Sequence, residues 1–224
     1  MPRSQTFSLL ASLLACVLSA PLLAAGDDAF VEMFNGKDLD GWVVEGSRTF
    51  KDGNQERPVW TVEDGQIVCA GKGFGFLRYD KQVSDFVWRV EYRMSKGCNS
   101  GIGIRGTKFT GKSDTRPSFA SYEIQVLDDA GKAPSKGSSG SLYRYLAATE
   151  NASLPAGQWN AMEIECRGPK IKITLNGKTI HDVDQSSVAE IKNKPLSGYL
   201  SVQNHGKRIE FRNLRLKELA RSNS

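Results

Sequence analysis

The sequence is poor in the residues from which metal clusters and disulfide frameworks are built. It holds four cysteines and two histidines in 224 residues. Cys16 falls in an apolar leader, so the rest of the chain carries only Cys69, Cys98 and Cys166. An odd count excludes a fully paired framework, and the absence of any C-x-x-C pair argues against structural zinc. Past residue 26 there is no apolar run long enough to span a bilayer, and no stretch holds the 3.6-residue period of a long amphipathic helix. Charge of one sign is lacking too. The formal net charge is +5, but acids and bases interleave, as in Lys207-Arg-Ile-Glu-Phe-Arg212. That is a solvated mixed surface and not a nucleic-acid stripe.

What is present begins with the leader. Arg3, the apolar run from Phe7 to Leu18 and the small residues ending Ala24-Ala25-Gly26 read as a secretion signal over residues 1–26. The expected location is therefore periplasmic or extracellular. Leu13-Leu-Ala-Cys16 offers a lipoprotein cleavage box as the alternative, which the apolar residues continuing past Cys16 disfavour. Residues 27–219 read as one domain and 220–224 as a disordered tail.

Within the domain the period is two. Phe86, Trp88, Val90, Tyr92 and Met94 alternate with Arg89, Glu91 and Arg93, the pattern of a half-buried strand. Residues 60–69 read as two strands turning at Asp64-Gly65, and 170–183 as a hairpin turning at Asn176-Gly177. Further strands are expected at 121–127, 159–167, 198–204 and 208–217, with loops at 128–140 and 184–195. Many short strands, glycine-rich turns and no helix predict an all-β, two-sheet antiparallel jelly-roll sandwich.

Gly101-Ile-Gly-Ile-Arg-Gly106 spells G-x-G-x-x-G, the dinucleotide fingerprint. That motif needs a helix opening within it, and here Ile102 and Ile104 alternate as in a strand. The glycines are instead expected to leave a hollow on the face away from the core. By the same alternation Glu123 and Gln125 share a polar face, with Asp128 beyond, and Ser201, Gln203 and His205 form another. If these strands share a sheet, Arg105, Glu123, Gln125, Gln203 and His205 converge over Gly101 and Gly103.

Phe34-Asn-Gly-Lys-Asp-Leu-Asp-Gly-Trp42, Trp60-Thr-Val-Glu-Asp-Gly65, Asn99-Ser-Gly-Ile-Gly-Ile-Arg105, Tyr122-Glu-Ile-Gln-Val-Leu-Asp128, Gly157-Gln-Trp-Asn160, Leu175-Asn-Gly177, Gln203-Asn-His-Gly206 and Phe211-Arg-Asn213 occur in this order. As an ordered set they resemble the 3-keto-disaccharide hydrolase domain family, from about residue 30 to 218. The resemblance implies a concanavalin A-like jelly roll with a sugar site on one sheet, acting on glycosides first oxidised at C3 by a separate sugar dehydrogenase. Asn204 departs from the Asp expected in a Gln-Asp-His-Gly motif.

A 3-keto group acidifies the C2 proton, so a base, an electrophile for the enolate oxygen and an acid for the leaving oxygen would suffice for β-elimination and rehydration. Glu123 or His205 is the expected base and Arg105 the electrophile. Asp128 is either the acid or, with Glu123 and His205, a ligand of a divalent cation. Asn99, Gly101, Gly103, Gln125, Gln203 and Tyr143 would form the sugar-binding surface. His181 reads as a surface residue, Trp88 as core, and Trp42 and Trp159 as open to sugar stacking.

Two alternatives stand beside this reading. A lectin-like module would bind the glycan without cleaving it. An ordinary glucanase would need E-x-D-x-x-E, where this chain has Glu123-x-Gln125-x-x-Asp128, lacking the helper carboxylate.

Overall fold

The computed structural model describes residues 29–220, so the leader, Cys16 and residues 221–224 lie outside it. The first strands are β1 (Val31–Glu32), β2 (Trp42–Gly46), β3 (Thr49–Asp52), β4 (Gln55–Pro58), β5 (Trp60–Glu63) and β6 (Gln66–Cys69). Four longer ones follow: β7 (Phe74–Val83), β8 (Phe86–Met94), β9 (Asn99–Gly106) and β10 (Tyr122–Leu127). The chain then runs through β11 (Trp159–Arg167), β12 (Lys170–Leu175), β13 (Lys178–Asp184), β14 (Gly198–His205) and β15 (Ile209–Glu218). The one α-helix among the described residues is the single turn α1 (Pro117–Ala120).

Two antiparallel sheets face each other. One has the order β13-β12-β11-β8-β15-β6-β5, with β1 added beside β15; the other runs β10-β9-β14-β7-β2. The expected sandwich is thus observed. The turn residues do what their types require: Asp64-Gly65 and Asn176-Gly177 all have positive φ, the condition for a two-residue hairpin loop.

Alternation decides which residues meet between the sheets. Phe86, Trp88, Val90, Tyr92 and Met94 are buried on β8, facing Ile102 and Ile104 of β9, Tyr122, Ile124 and Val126 of β10, and Leu200 and Val202 of β14. Each such side chain removed from water contributes roughly 1.5–3 kcal/mol before conformational entropy is set against it. Trp42 belongs to this core as well, its Nε1–H donating to the Met33 carbonyl at 2.8 Å. Trp159 is half-buried on the opposite side of the eight-stranded sheet, with the guanidinium groups of Arg93 and Arg212 at 4.8 and 4.0 Å from its ring centroid. Trp42 is therefore core, and Trp159 is engaged by arginines on the other sheet.

His181, expected at the surface, is buried, and its Nε2 lies 2.9 Å from the Gly140 carbonyl oxygen. A register shift between Ile173 and Thr174 breaks the alternation opposite it, so Ile180 and His181 both turn inward. All three described cysteines are free and buried. Burial pushes their thiols up to about 12, which removes them as nucleophiles.

Candidate active site

The outward face of the five-stranded sheet carries a cleft of about 390 Å³. Its floor comes from register. Glu123 on β10 pairs with Gly103 on β9, and Gln125 with Gly101; across β9, Gly103 also pairs with Ser201 of β14. The two glycines leave the middle of the floor bare so that neighbours can close over it. A Cβ on Gly101 would stand 2.7 Å from Cγ and Oε1 of Glu123, and one on Gly103 would stand 2.4 Å from the Ser201 hydroxyl and 2.8 Å from the Pro117 ring. The nucleotide-like motif is thus a strand whose glycines let a carboxylate lie flat on the sheet.

The walls are loops. Segment 107–121 folds over β7, where Phe109 packs edge-on against Phe74 and Phe76 and its N–H donates to Glu45 Oε2 at 2.8 Å. Its end is pinned by the Tyr145 hydroxyl, which donates to the Ser118 carbonyl. Segment 140–146 runs beside β10: Gly140 N–H donates to the Gln125 carbonyl, Gln125 N–H to that of Ser141, and Tyr143 N–H to that of Glu123. This brings Tyr143 and Arg144 to the cleft opposite Arg116, Ser118 and Phe119.

At the centre, Glu123 is only 4% exposed. Burial pushes its carboxyl up to about 7, against hydrogen bonds from Ser118 and Gln203 and the charge of Arg116, which pull the other way. Gln203 is equally enclosed, and its Oε1 is buried without a partner in the protein. Gln125 Nε2 donates to Asn99 Oδ1 at 3.3 Å. His205 stands at the exposed mouth against the Phe74 ring, and partial burial followed by the Arg116 charge lowers its pKa, which favours the neutral imidazole. The Arg116 guanidinium lies over the same Phe74 ring, 4.4 Å from its centroid, with its Nε buried and unpartnered.

Most of the expected residues gather here: Glu123, His205, Asn99, Gln125, Gln203 and Tyr143 all line the cleft, over Gly101 and Gly103. Two do not. Arg105 is fully buried at the opposite side of its strand; a φ of +54° turns it away from the glycine face, and it donates to the Ser84 carbonyl and pairs with Asp85 at 3.8 Å. Asp128 lies past the end of β10, accepting from Gly97 N–H at 2.7 Å. The expected cation ligands are thereby split, and no group of three or more His, Cys, Asp or Glu side chains suited to a metal ion is found among the described residues.

Residues the alternation did not reach are Phe74, Arg116, Ser118, Phe119 and Arg144. Arg116 and Arg144 lie in loops, and Ser118 and Phe119 in the single turn α1, where no strand period fixes a direction. The signal that was available is Pro117 after Arg116, which fits the first position of a short helix.

The model of the 3-keto-alpha-glucoside-1,2-lyase-like domain matches residues 29–217. The chain belongs to this family. It is similar to the 3-keto-disaccharide hydrolase of Bacteroides thetaiotaomicron, 27% identical over an alignment of 251 positions, gaps included, that covers 93% of this chain and 84% of the relative. A Parabacteroides distasonis protein described as a candidate glycosyl hydrolase superposes with a TM-score of 0.68 at 22% identity, over 86% of this chain and 94% of that one. A Bacillus subtilis protein with a galectin-like fold gives 0.54 at 13% identity, covering 82% and 92%. The structures establish the jelly-roll fold, and the family places the chain among glycoside-cleaving enzymes. No helix among the described residues is long and apolar enough to cross a membrane.

Proposed function

We propose that the protein cleaves 3-keto-glycosides by removing the C2 proton, eliminating the C1 substituent and rehydrating the product, with Glu123 as the base. The observation that carries this is the Glu123 carboxyl, enclosed yet facing the cleft and raised to about 7, so that near neutrality it exists in both protonation states. Arg116 takes the electrophilic role expected of Arg105: it lines the cleft, and its charge reaches Glu123 and His205 and suits an enolate oxygen.

In this reading Glu123 accepts the C2 proton, the electron pair moves into the C2–C3 enolate, and collapse of the enolate expels the aglycone oxygen, which takes a proton from water. The enone left behind gains water at C1. Neutral His205 at the mouth activates that water, and Glu123 returns its proton to C2. Gln203 Oε1, Gln125 and Asn99 hold sugar hydroxyls, and Tyr143 forms the side wall. The substrate must come from an oxidation at C3, and the leader over residues 1–26 would carry the protein out of the cytoplasm to meet it.

The test is to offer the protein a 3-keto-glucoside and its unoxidised parent, each with and without chelator. Cleavage of only the keto sugar, with a primary isotope effect on deuteration at C2, is the expected result. Equal cleavage of the parent would overturn the elimination, and binding of the parent without turnover of either would establish a lectin. Loss of activity with chelator would bring a divalent cation into the mechanism.

A further inference from the structure

The cleft is unusual in how it treats its arginines. Several arginines elsewhere are matched: Arg89, Arg93, Arg208 and Arg212 each meet a carboxylate at 2.5–3.0 Å, and buried Arg78 meets Glu45 at 2.6 Å and Asp80 at 2.8 Å. Arg116 and Arg144 form no ion pair among the described residues. Each guanidinium lies over an aromatic ring instead, Arg116 over Phe74 and Arg144 over Phe119 with 4.0 Å to the centroid. A guanidinium so placed can still offer its fork of N–H donors to a planar oxyanion.

Arg144 is the outer of the two. Arg116 acts on Glu123 and His205, whereas Arg144 is exposed and opens to the mouth. Its backbone has φ +75°, a conformation disfavoured for a residue with a side chain, and is held there by its N–H donating to the Lys136 carbonyl and by Tyr143 N–H donating to Glu123. The fold thus keeps a strained turn that sets a cation against Phe119. Among the residues lining the cleft the sole carboxyl is that of Glu123, on the floor.

We propose that the outer part of this cleft takes an acidic aglycone, whose oxyanion is held by Arg144 while the oxidised sugar lies over Glu123. The inference rests on the reaction proposed above and narrows its substrate class.

The 3-keto-glucosides of 4-hydroxybenzoate and of its neutral isostere 4-hydroxybenzamide, prepared as both anomers, test it. The carboxylate substrate should have about tenfold higher kcat/KM. That ratio should fall with added salt and approach unity in Arg144→Gln, with the fold of the variant checked by circular dichroism. A ratio near unity in the parent protein, or one that Arg144→Gln leaves unchanged, overturns the proposal. Should neither keto-glycoside be turned over, the elimination reading fails separately, and calorimetry with the unoxidised 4-carboxyphenyl and 4-carbamoylphenyl glucosides decides the same point. Preferential binding of the acid that Arg144→Gln removes sustains the proposal. Equal binding, or none, ends it.

Discussion

The outward face of the eight-stranded sheet and the cleft on the five-stranded sheet are built from the same alternating strands and treat charge differently. On the eight-stranded sheet, Arg89 pairs with Glu163, Arg93 with Glu210 and Arg212 with Glu91, across neighbouring strands and in reach of solvent. On the five-stranded sheet, loops roof part of the face, so Glu123 is shielded and Arg116 and Arg144 are left without carboxylates. Exposed pairs contribute about 0–1 kcal/mol apiece and offer nothing to a ligand. Shielded and unmatched groups cost stability and keep their hydrogen-bonding capacity for one. The difference lies less in which residues alternate than in what covers them.

Removing the shielded carboxyl should break this contrast most strongly. Glu123→Gln is expected to lower kcat about 10²–10⁴-fold on a 3-keto-glycoside. In the parent, kcat/KM should climb as Glu123 loses its proton, levelling above about 7 and standing about tenfold lower at pH 6. The stability effect has the opposite sign. The folded carboxyl titrates near 7 and the unfolded one near 4.5, so the native state binds more protons across that window and stability declines as pH rises through it. Chemical denaturation at pH 8 should therefore find Glu123→Gln about 1–3 kcal/mol more stable than the parent; equal stability would mean the carboxyl is not desolvated.

Filling the bare floor comes next. The Cβ of Gly101→Ala would meet Glu123 at 2.7 Å, so the carboxylate must shift. A displacement of about 1 Å should cost up to about 10²-fold in kcat, with a loss of about 1–3 kcal/mol from overpacking. Unchanged kinetics would show that Glu123 does not act from this position. The smallest effect belongs to the other face, where Glu163→Gln should change stability by no more than about 1 kcal/mol and leave kcat/KM untouched.

How far the site could be read from the chain depended on whether alternation held. Glu123, Gln125, Gln203 and His205 sit on regular strands, and counting by twos put them on one face. The count failed at Arg105 because a left-handed backbone inserts a half-turn there, sending a charged residue inward to Asp85. It failed at His181 because Ile180, next to it in the same strand, is an extra residue with no partner across the ladder. At Asp128 the strand had already ended. Arg116 and Arg144 were out of reach altogether, since the direction of a loop side chain is set by contacts with Phe74 and Phe119 that lie far away in sequence. Regular backbone is local information; roofs over a site are not.

The segment at 140–146 has a consequence beyond the cleft. Strand β10 ends its sheet, and an uncovered end strand presents a row of amide and carbonyl groups to which another chain can bind. Here Ser141 and Tyr143 occupy that row by hydrogen bonding to Gln125 and Glu123. The wall that holds Arg144 at the cleft also keeps a second molecule from zipping along this border. Loosening it for catalytic gain would be expected to appear first as poor solubility.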